Sequence, residues 1–259
     1  MWLACRHHVM ELILAKVFTL CFGPSSSPDI PIFKRFKTAW EGITCKNFRG
    51  LEIKEEAAIF CNSTVCFLGD VTRSESQIRD DYQELIELTM IVLGFPPAKI
   101  HWRAPGPVHH ARWMAKLIYG IKIFLFRDQK DIFNLTKKEE NQLQRFVQFG
   151  ALLYTKVWTE APLAAEAPSN DLALWIDLGK YQCIDREISL AAREVLERHL
   201  WYIADETVGL ALFSNRVSAV EKAKIVAGMM NETGERNVRG EKSIFNDFSS
   251  PRKAVSGTS

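Results

Sequence analysis

The sequence predicts a mostly α-helical fold with few or no strands. Through most of its 259 residues, apolar side chains recur every three or four positions, the spacing of a helix with one buried face. Clusters of Gly, Pro and Ser interrupt these runs where helices would end. One short stretch, "NSTVCFLGD" (62–70), has weak strand character. The 47% hydrophobic and 25% charged residues are ordinary for a globular protein with a sizeable core.

The N-terminal third predicts two helices. The first spans about 2–22 and stops at Gly23-Pro24, and the second covers 30–43. Glu11 and Lys16 interrupt the first apolar run, so we expect neither a signal peptide nor a membrane anchor, and no later stretch is long enough to span a bilayer. The predicted buried positions are Met10, Ile13, Leu14, Val17 and Leu20 in the first helix and Ile32, Phe33, Phe36, Trp40 and Ile43 in the second.

The middle of the chain predicts three further helices. One covers 74–93, opens with polar and acidic residues and closes on Gly94. The next begins near 108, after the "RAPGP" turn. The third begins after Thr136, which has Glu139 three residues on, the capping-box spacing. The stripe predicted for the second of these helices is Met114, Leu117, Ile118, Ile121, Phe124 and Leu125.

The C-terminal part predicts a surface connection followed by short helices and a tail. The connection is "TEAPLAAEAPSN" (159–170), and helices are expected over 171–180, 185–199, 200–213 and 218–230. After that the sequence is polar, rich in Gly and Ser, and without periodicity, which is typical of disorder. The expected organisation is one helical region over 1–230 and a disordered tail over 231–259.

The net charge and the cysteine content exclude few classes of function. Lys and Arg total 33 against 31 Asp and Glu, a net charge of +2, so the chain is not strongly basic as a whole, although local patches remain open. The six cysteines are scattered without a Cys-x-x-Cys pair, which favours reduced thiols in an intracellular protein. No GxSxG, Walker A or HExxH motif is present.

A first polar cluster, Cys5, His7 and His8, opens the first helix. A Cys-x-x-His pair supplies two zinc ligands, whereas a structural zinc site needs about four, and no second pair stands at finger-like spacing. The favoured interpretation is structural: Cys5 is a small buried residue, and Arg6 and the histidines are polar residues of the first turn. A structural zinc protein is the weaker alternative.

A second cluster surrounds the start of the helix near 108. His109, Arg112 and Lys116 follow an i, i+3, i+7 pattern that puts them on one helix face, beside Trp113. A cationic face next to Trp is suited to holding a phosphate or stacking on a base. The equally weighted alternative is a solvated polar face with Trp113 as a half-buried anchor.

The pairing of the two clusters resembles hAT-type DNA transposases, which have an RNase H-like core. In that family a Cys-x-x-His motif is followed by an Arg-Trp motif before or within a helical insertion; here "CRHHVMEL" and "HHARWMAKLIY" match them. A longer pattern, "WLACRHH…GPSSSPDIPIFKRFKTAWEGI…RAPGPVHHARWMAKLIYGIKIFLF…HLWYIADETVGLALF", resembles a transposon-derived group of animal genomes. The resemblance covers about 2–226.

The resemblance implies an ancestral activity in which a divalent metal such as Mg²⁺ supports cutting and joining of DNA. Glu206 matches the family's last catalytic carboxylate, Cys5 and His8 its bracing motif, and Arg112 and Trp113 its DNA contacts. The family's two aspartates precede the Cys-x-x-His motif and have no counterpart before Cys5. We therefore expect an N-terminally truncated, inactive fragment without a cofactor of its own, nuclear if it functions. The alternative is a non-catalytic helical module that binds nucleic acid or protein, including its own copies.

Overall fold

The computed structural model describes residues 5–24, 30–74, 78–106, 113–162, 166–199, 212–213, 215 and 218–231. This part of the chain contains α-helices and no β-strand, so the mostly α prediction is confirmed. A 3-10 turn, Trp40–Gly42, follows the second helix, and a π-helical turn, Gly150–Tyr154, joins the sixth to the seventh. The helices are α1 (Arg6–Phe22), α2 (Pro31–Ala39), α3 (Glu55–Arg73), α4 (Asp80–Val92), α5 (Trp113–Leu125), α6 (Lys137–Phe149), α7 (Thr155–Glu160), α8 (Ala167–Tyr181), α9 (Arg186–Glu197) and α10 (Ala219–Asn231).

The chain divides into two compact units. The first covers 1–217 and holds α1 to α9, and the second covers 218–259 and holds α10. Within the first unit, α1 packs against α9, α6 and α5, while α5 also packs against α4, α6 and α2. The core therefore lies around α1 and α5, the two helices that carry the motifs singled out from the sequence. None of the helices in the described residues is both long enough and apolar enough to cross a membrane.

The predicted buried stripes of α1 and α5 are confirmed with one exception, whereas in the stripe of the second predicted helix Trp40 is only half-buried. All six stripe positions of α5 are buried, as are Met10, Ile13, Leu14 and Val17 of α1. The exception is Leu20, which is 39% exposed, so that part of the prediction is wrong. Near its C-terminal end α1 instead buries Phe18 and Cys21, because the neighbouring helices cover that side of the last turn.

The strand considered for 62–70 is wrong, because this stretch lies inside α3. Its β-branched residues favour a strand only when the stretch is read alone. Over the longer segment, acidic residues occupy the first helical turn, and the buried positions recur at helical spacing. These buried residues are Ala57, Phe60, Cys61, Thr64 and Leu68.

α6 begins with the predicted capping box. The Thr136 hydroxyl accepts a hydrogen bond from the Glu139 N–H (3.2 Å), and the Glu139 carboxylate accepts one from the Thr136 N–H (2.9 Å). This reciprocal pair satisfies two backbone donors that a helix start leaves open.

The π-helical turn between α6 and α7 was not predicted. Buried threonine hydroxyls satisfy its carbonyls: Thr155 donates to the Gly150 oxygen (3.0 Å) and Thr64 of α3 donates to the Leu152 oxygen (2.8 Å). The Thr155 hydroxyl also lies 3.0 Å from that of Thr89 in α4. The widened turn is thus held by side chains from two other helices.

The expected surface connection over 159–170 is partly wrong. α8 begins at Ala167, inside that stretch, and Asn170 and Asp171 are buried. The helices predicted over 185–199 and 218–230 are confirmed as α9 and α10, with ends shifted by a few residues. The helix predicted over 200–213 lies largely outside the described residues, and the tail over 231–259 lies outside them beyond Asn231.

Candidate functional site

The Cys-x-x-His motif lies at the start of α1. Cys5 is the N-cap residue, and its backbone oxygen accepts hydrogen bonds from the N–H groups of His8 (2.8 Å) and Val9 (3.2 Å). Its side chain is exposed and makes no capping hydrogen bond. The expectation that Cys5 is buried is therefore wrong, because the residue precedes the helix rather than lying on its packed face.

Arg6 is more buried than a polar first-turn residue was expected to be. Its guanidinium donates to the Asp171 carboxylate of α8, and the two side chains are only 9% and 3% exposed. Burial raises the pKa of Asp171 above its ordinary value, although the positive charge of Arg6 opposes the rise. The pair ties the first turn of α1 to the first turns of α8.

His7 belongs to an aromatic cluster. Its ring centroid lies 4.3 Å from that of Trp158 and 5.8 Å from that of Tyr82, and its Nε2 is 3.2 Å from the Trp158 carbonyl oxygen. The histidine is thus packed between α4 and α7. The sequence alone gave no signal for these contacts, since all of the partners lie far along the chain.

His8 lies on the side of α1 that faces the end of α9. The pKa of His199, just beyond α9, is lowered by burial, and then by the nearby positive charges of His8 and Arg198. Farther along the same interface, the exposed Lys16 ammonium and the Glu194 carboxylate are 3.2 Å apart. The two histidines of the motif therefore serve different contacts, His7 inside the bundle and His8 at its edge.

The start of α5 lies against α1. The Glu11 carboxylate accepts a hydrogen bond from the Trp113 backbone N–H (3.2 Å), which satisfies one free donor in the first turn of α5. The indole of Trp113 also lies 5.5 Å, centroid to centroid, from the ring of Phe18. The two helices that carry the sequence motifs therefore meet at the N-terminal end of α5.

Lys116 completes this contact. Its ammonium lies 3.5 Å from the centre of the Trp113 ring and 5.2 Å from that of Phe18. Burial lowers the pKa of Lys116. Trp113 is half-buried, which agrees with an anchoring role and leaves part of the indole accessible. Of the other candidates, His109, Arg112 and Glu206 lie outside the described residues.

The metal ligands implied by the family are not assembled in the described part of the chain. No group of three or more His, Cys, Asp or Glu side chains there is arranged to hold a metal ion, and this covers Cys5 and His8.

At the described start of α5 a cation lies against a partly accessible indole, a chemistry suited to binding. No protein-family model matches this chain, and no curated protein or solved structure matches it either.

Proposed function

We propose that this chain is a helical DNA-binding module derived from a hAT-type transposase, and that it acts without cutting DNA. One observation carries the proposal: the Cys-x-x-His helix and the Arg-Trp helix pack together at the start of α5. The contact is specific, since Glu11 accepts the Trp113 N–H and Phe18 lies against the Trp113 ring. A common origin of the two motifs in one catalytic domain explains why they share one core.

The chemistry at the start of α5 supports nucleic acid as the ligand. Lys116 and Trp113 form a cation–aromatic pair, and the sequence spacing predicts that His109 and Arg112 lie on the same face as Lys116. Groups of this kind hold phosphates and stack on bases without a need for sequence-specific readout. We therefore expect modest, salt-sensitive binding to DNA of many sequences, and a nuclear location for the chain.

The proposal is confined to binding. A two-metal site needs several carboxylates to hold its ions. Within this sequence the resemblance assigns one such carboxylate, Glu206.

The test is DNA binding by the full chain, measured by fluorescence anisotropy with a labelled duplex. We expect the logarithm of the affinity to fall linearly as the logarithm of salt rises between about 50 and 200 mM. The double variant Arg112→Gln/Lys116→Gln should weaken binding to all sequences and reduce the salt slope by about two. Lys130→Gln is the control, because this exposed lysine lies beyond the opposite end of α5 and should leave the slope within about one of the wild type.

Two results would count against this function. One is a wild-type chain that shows no salt-dependent binding to any duplex. The other is a double variant that binds as tightly as Lys130→Gln while both remain folded by circular dichroism. Either result would leave a protein-binding module as the better candidate.

A specific surface favours that second candidate. α8 and α9 expose apolar side chains, namely Leu172, Ile176 and Leu190. An apolar protein interface depends little on salt, whereas phosphate contacts depend on it strongly. Sedimentation of the full chain at low and high salt separates the two: self-association that persists at high salt favours the protein interface.

A further inference from the structure

The net charge of +2 conceals an uneven distribution among the described helices. α2 and α5, which pack against each other, contain basic residues and no acidic ones. α3 and α4 show the reverse, because acidic residues outnumber the single basic one, Arg73. The basic set is Lys34, Arg35, Lys37, Lys116 and Lys122, and the acidic set is Glu55, Glu56, Asp70, Asp80, Asp81, Glu84 and Glu87.

α2 is held firmly with its basic side chains toward solvent. Its buried face is Ile32, Phe33 and Phe36. The Phe33 ring stacks on that of Tyr119 in α5 at 5.1 Å, and the Phe36 ring meets that of Phe133 edge-on at 5.5 Å. The opposite face presents Lys34, Arg35 and Lys37, all exposed, which we call the α2 basic face.

Two of the three basic residues on the α2 basic face are not held in ion pairs with any residue that the structure describes. Arg35 donates to the Glu139 carboxylate of α6 (2.7 Å), so each of these charges offsets the other. Within the described residues, Lys34 and Lys37 form no ion pair, although the exposed Glu41 follows Lys37 by four positions. At the start of α6, Lys137 pairs with Glu140 (3.6 Å), while the adjacent exposed Lys138 forms no ion pair in the same described part of the chain.

α2 lies beside the start of α5 through its buried face. The ring of Phe18 is 6.2 Å from that of Phe33 in α2 and 5.5 Å from that of Trp113 in α5. One aromatic side chain of α1 thus contacts both helices. The two helices are therefore close enough for one rod-like polyanion to reach both.

We infer that the α2 basic face contacts the phosphate backbone of duplex DNA. This inference rests on the proposed function and adds to it a second helix and two named phosphate contacts, Lys34 and Lys37. Side chains three residues apart on a helix are neighbours, about 5–6 Å between Cβ atoms, so the two ammonium groups present one concentrated positive charge. Neither needs to break an ion pair before it displaces counterions from the DNA. Lys122 and Glu84 offset each other, and the remaining acidic residues of α3 and α4 repel DNA, which favours its approach to the α2 basic face.

The experiment compares two double variants of the full chain that lose the same charge. Lys34→Gln/Lys37→Gln removes the available charge of the α2 basic face. Lys54→Gln/Lys99→Gln removes two exposed lysines that flank the acidic helices, one just before α3 and one in the loop after α4. For the first variant we expect the dissociation constant for a duplex to rise roughly tenfold near 0.1 M salt and the salt slope to fall by about two. For the second we expect a change of less than about twofold at the same salt.

The outcomes separate this inference from the function on which it rests. If the wild type binds in a salt-dependent manner and the two double variants weaken binding equally, the α2 contact is wrong and the proposed function stands. If the wild type does not bind, both fall. A third double variant, Lys34→Arg/Lys37→Arg, keeps the positive charge. If it binds the duplex as tightly as the wild type, with unchanged thermal unfolding, a phosphate contact is supported over a structural role, since arginine also contacts phosphates.

Discussion

At the scale of single residues, buried charged side chains of α1 and α5 form ion pairs with neighbouring helices. Arg6 pairs with Asp171, and Lys122, only 2% exposed in the middle of α5, pairs with Glu84 at 2.5 Å. Lys122 also donates to the Arg103 carbonyl (2.8 Å). Burial lowers the pKa of Lys122, and Glu84 opposes that change. Such pairs add little net stability, but losing one partner leaves a buried charge and costs about 3–5 kcal/mol.

Asp185 gives a residue-scale prediction about acid stability. Its carboxylate caps α9 by accepting from the Ile188 N–H (3.1 Å), and it accepts two hydrogen bonds from Arg145 of α6 (2.6 and 2.9 Å). Burial alone would raise the pKa of Asp185, but these hydrogen bonds outweigh it and hold the pKa below its ordinary value of 3.8. The stability that this carboxylate contributes is therefore present above about pH 4 and lost as the pH falls through the lowered pKa.

We expect Asp185→Asn to lower the free energy of unfolding at pH 7 by about 1.5–3 kcal/mol, because it loses charged hydrogen bonds. The variant should also show a smaller fall in stability than the wild type when the pH drops below 4. Urea unfolding across this pH range measures both effects. Asp177→Asn is the control: its ion pair with Lys180 (3.4 Å) is largely exposed and should change stability by less than about 1 kcal/mol. Parallel pH curves for the wild type and Asp185→Asn would contradict this account.

At the scale of elements, glycines set the close approach of α5 to the rod formed by α6, the π-helical turn and α7. A Cβ atom at Gly150 would lie 2.9 Å from Leu117 Cδ2 and closer still to Cδ1. At Gly120 it would lie 3.1 Å from the ring of Phe146. Since Gly150 has an ordinary helical conformation (φ −58°, ψ −47°), the missing side chain, rather than backbone freedom, is what this position requires.

Two glycine substitutions test this packing. Gly150→Ala should destabilise the chain by about 1–3 kcal/mol, because its methyl group overlaps the buried Leu117. Gly69→Ala is the matched control in α3, where the new methyl group would meet only the flexible Arg73 guanidinium at 3.6 Å. We expect it to stabilise the chain by up to about 1 kcal/mol through helix propensity. Chemical unfolding measures both, and equal effects of the two substitutions would refute close packing at Gly150.

At the scale of the whole molecule, the two units differ in how much of their helices is buried. α1 buries seven side chains along its length. α10 opens with a capping box between Ser218 and Glu221, yet none of its described side chains is buried. An isolated helix of this length is marginal in water, even with a good cap.

Native-state hydrogen exchange tests this difference. We expect the amides of α10 to exchange nearly as fast as those of an unstructured peptide. The amides of Ile13 and Leu14, at the centre of α1, should exchange only through global unfolding. The exchange of both segments is followed on the full chain by mass spectrometry after proteolysis. Strong protection of α10 would show that its surface is covered in solution.

The sequence by itself determined the helical class, most helix positions and the buried face of α5. These follow from local information: the spacing of apolar residues, the capping box at Thr136 and the Gly-Pro stop after α1. At α3 local strand propensity gave a wrong prediction, because a few β-branched residues suggested a strand within a longer helical pattern.

Only the tertiary structure decided what those polar residues contact. Arg6 meets Asp171, His7 meets Trp158, and Glu11 meets Trp113, all partners more than a hundred positions away. The π-helical turn likewise depends on hydroxyls from α3 and α4. Such contacts depend on how the helices pack, which periodicity within one helix does not encode. The same packing places the basic α2 beside the start of α5.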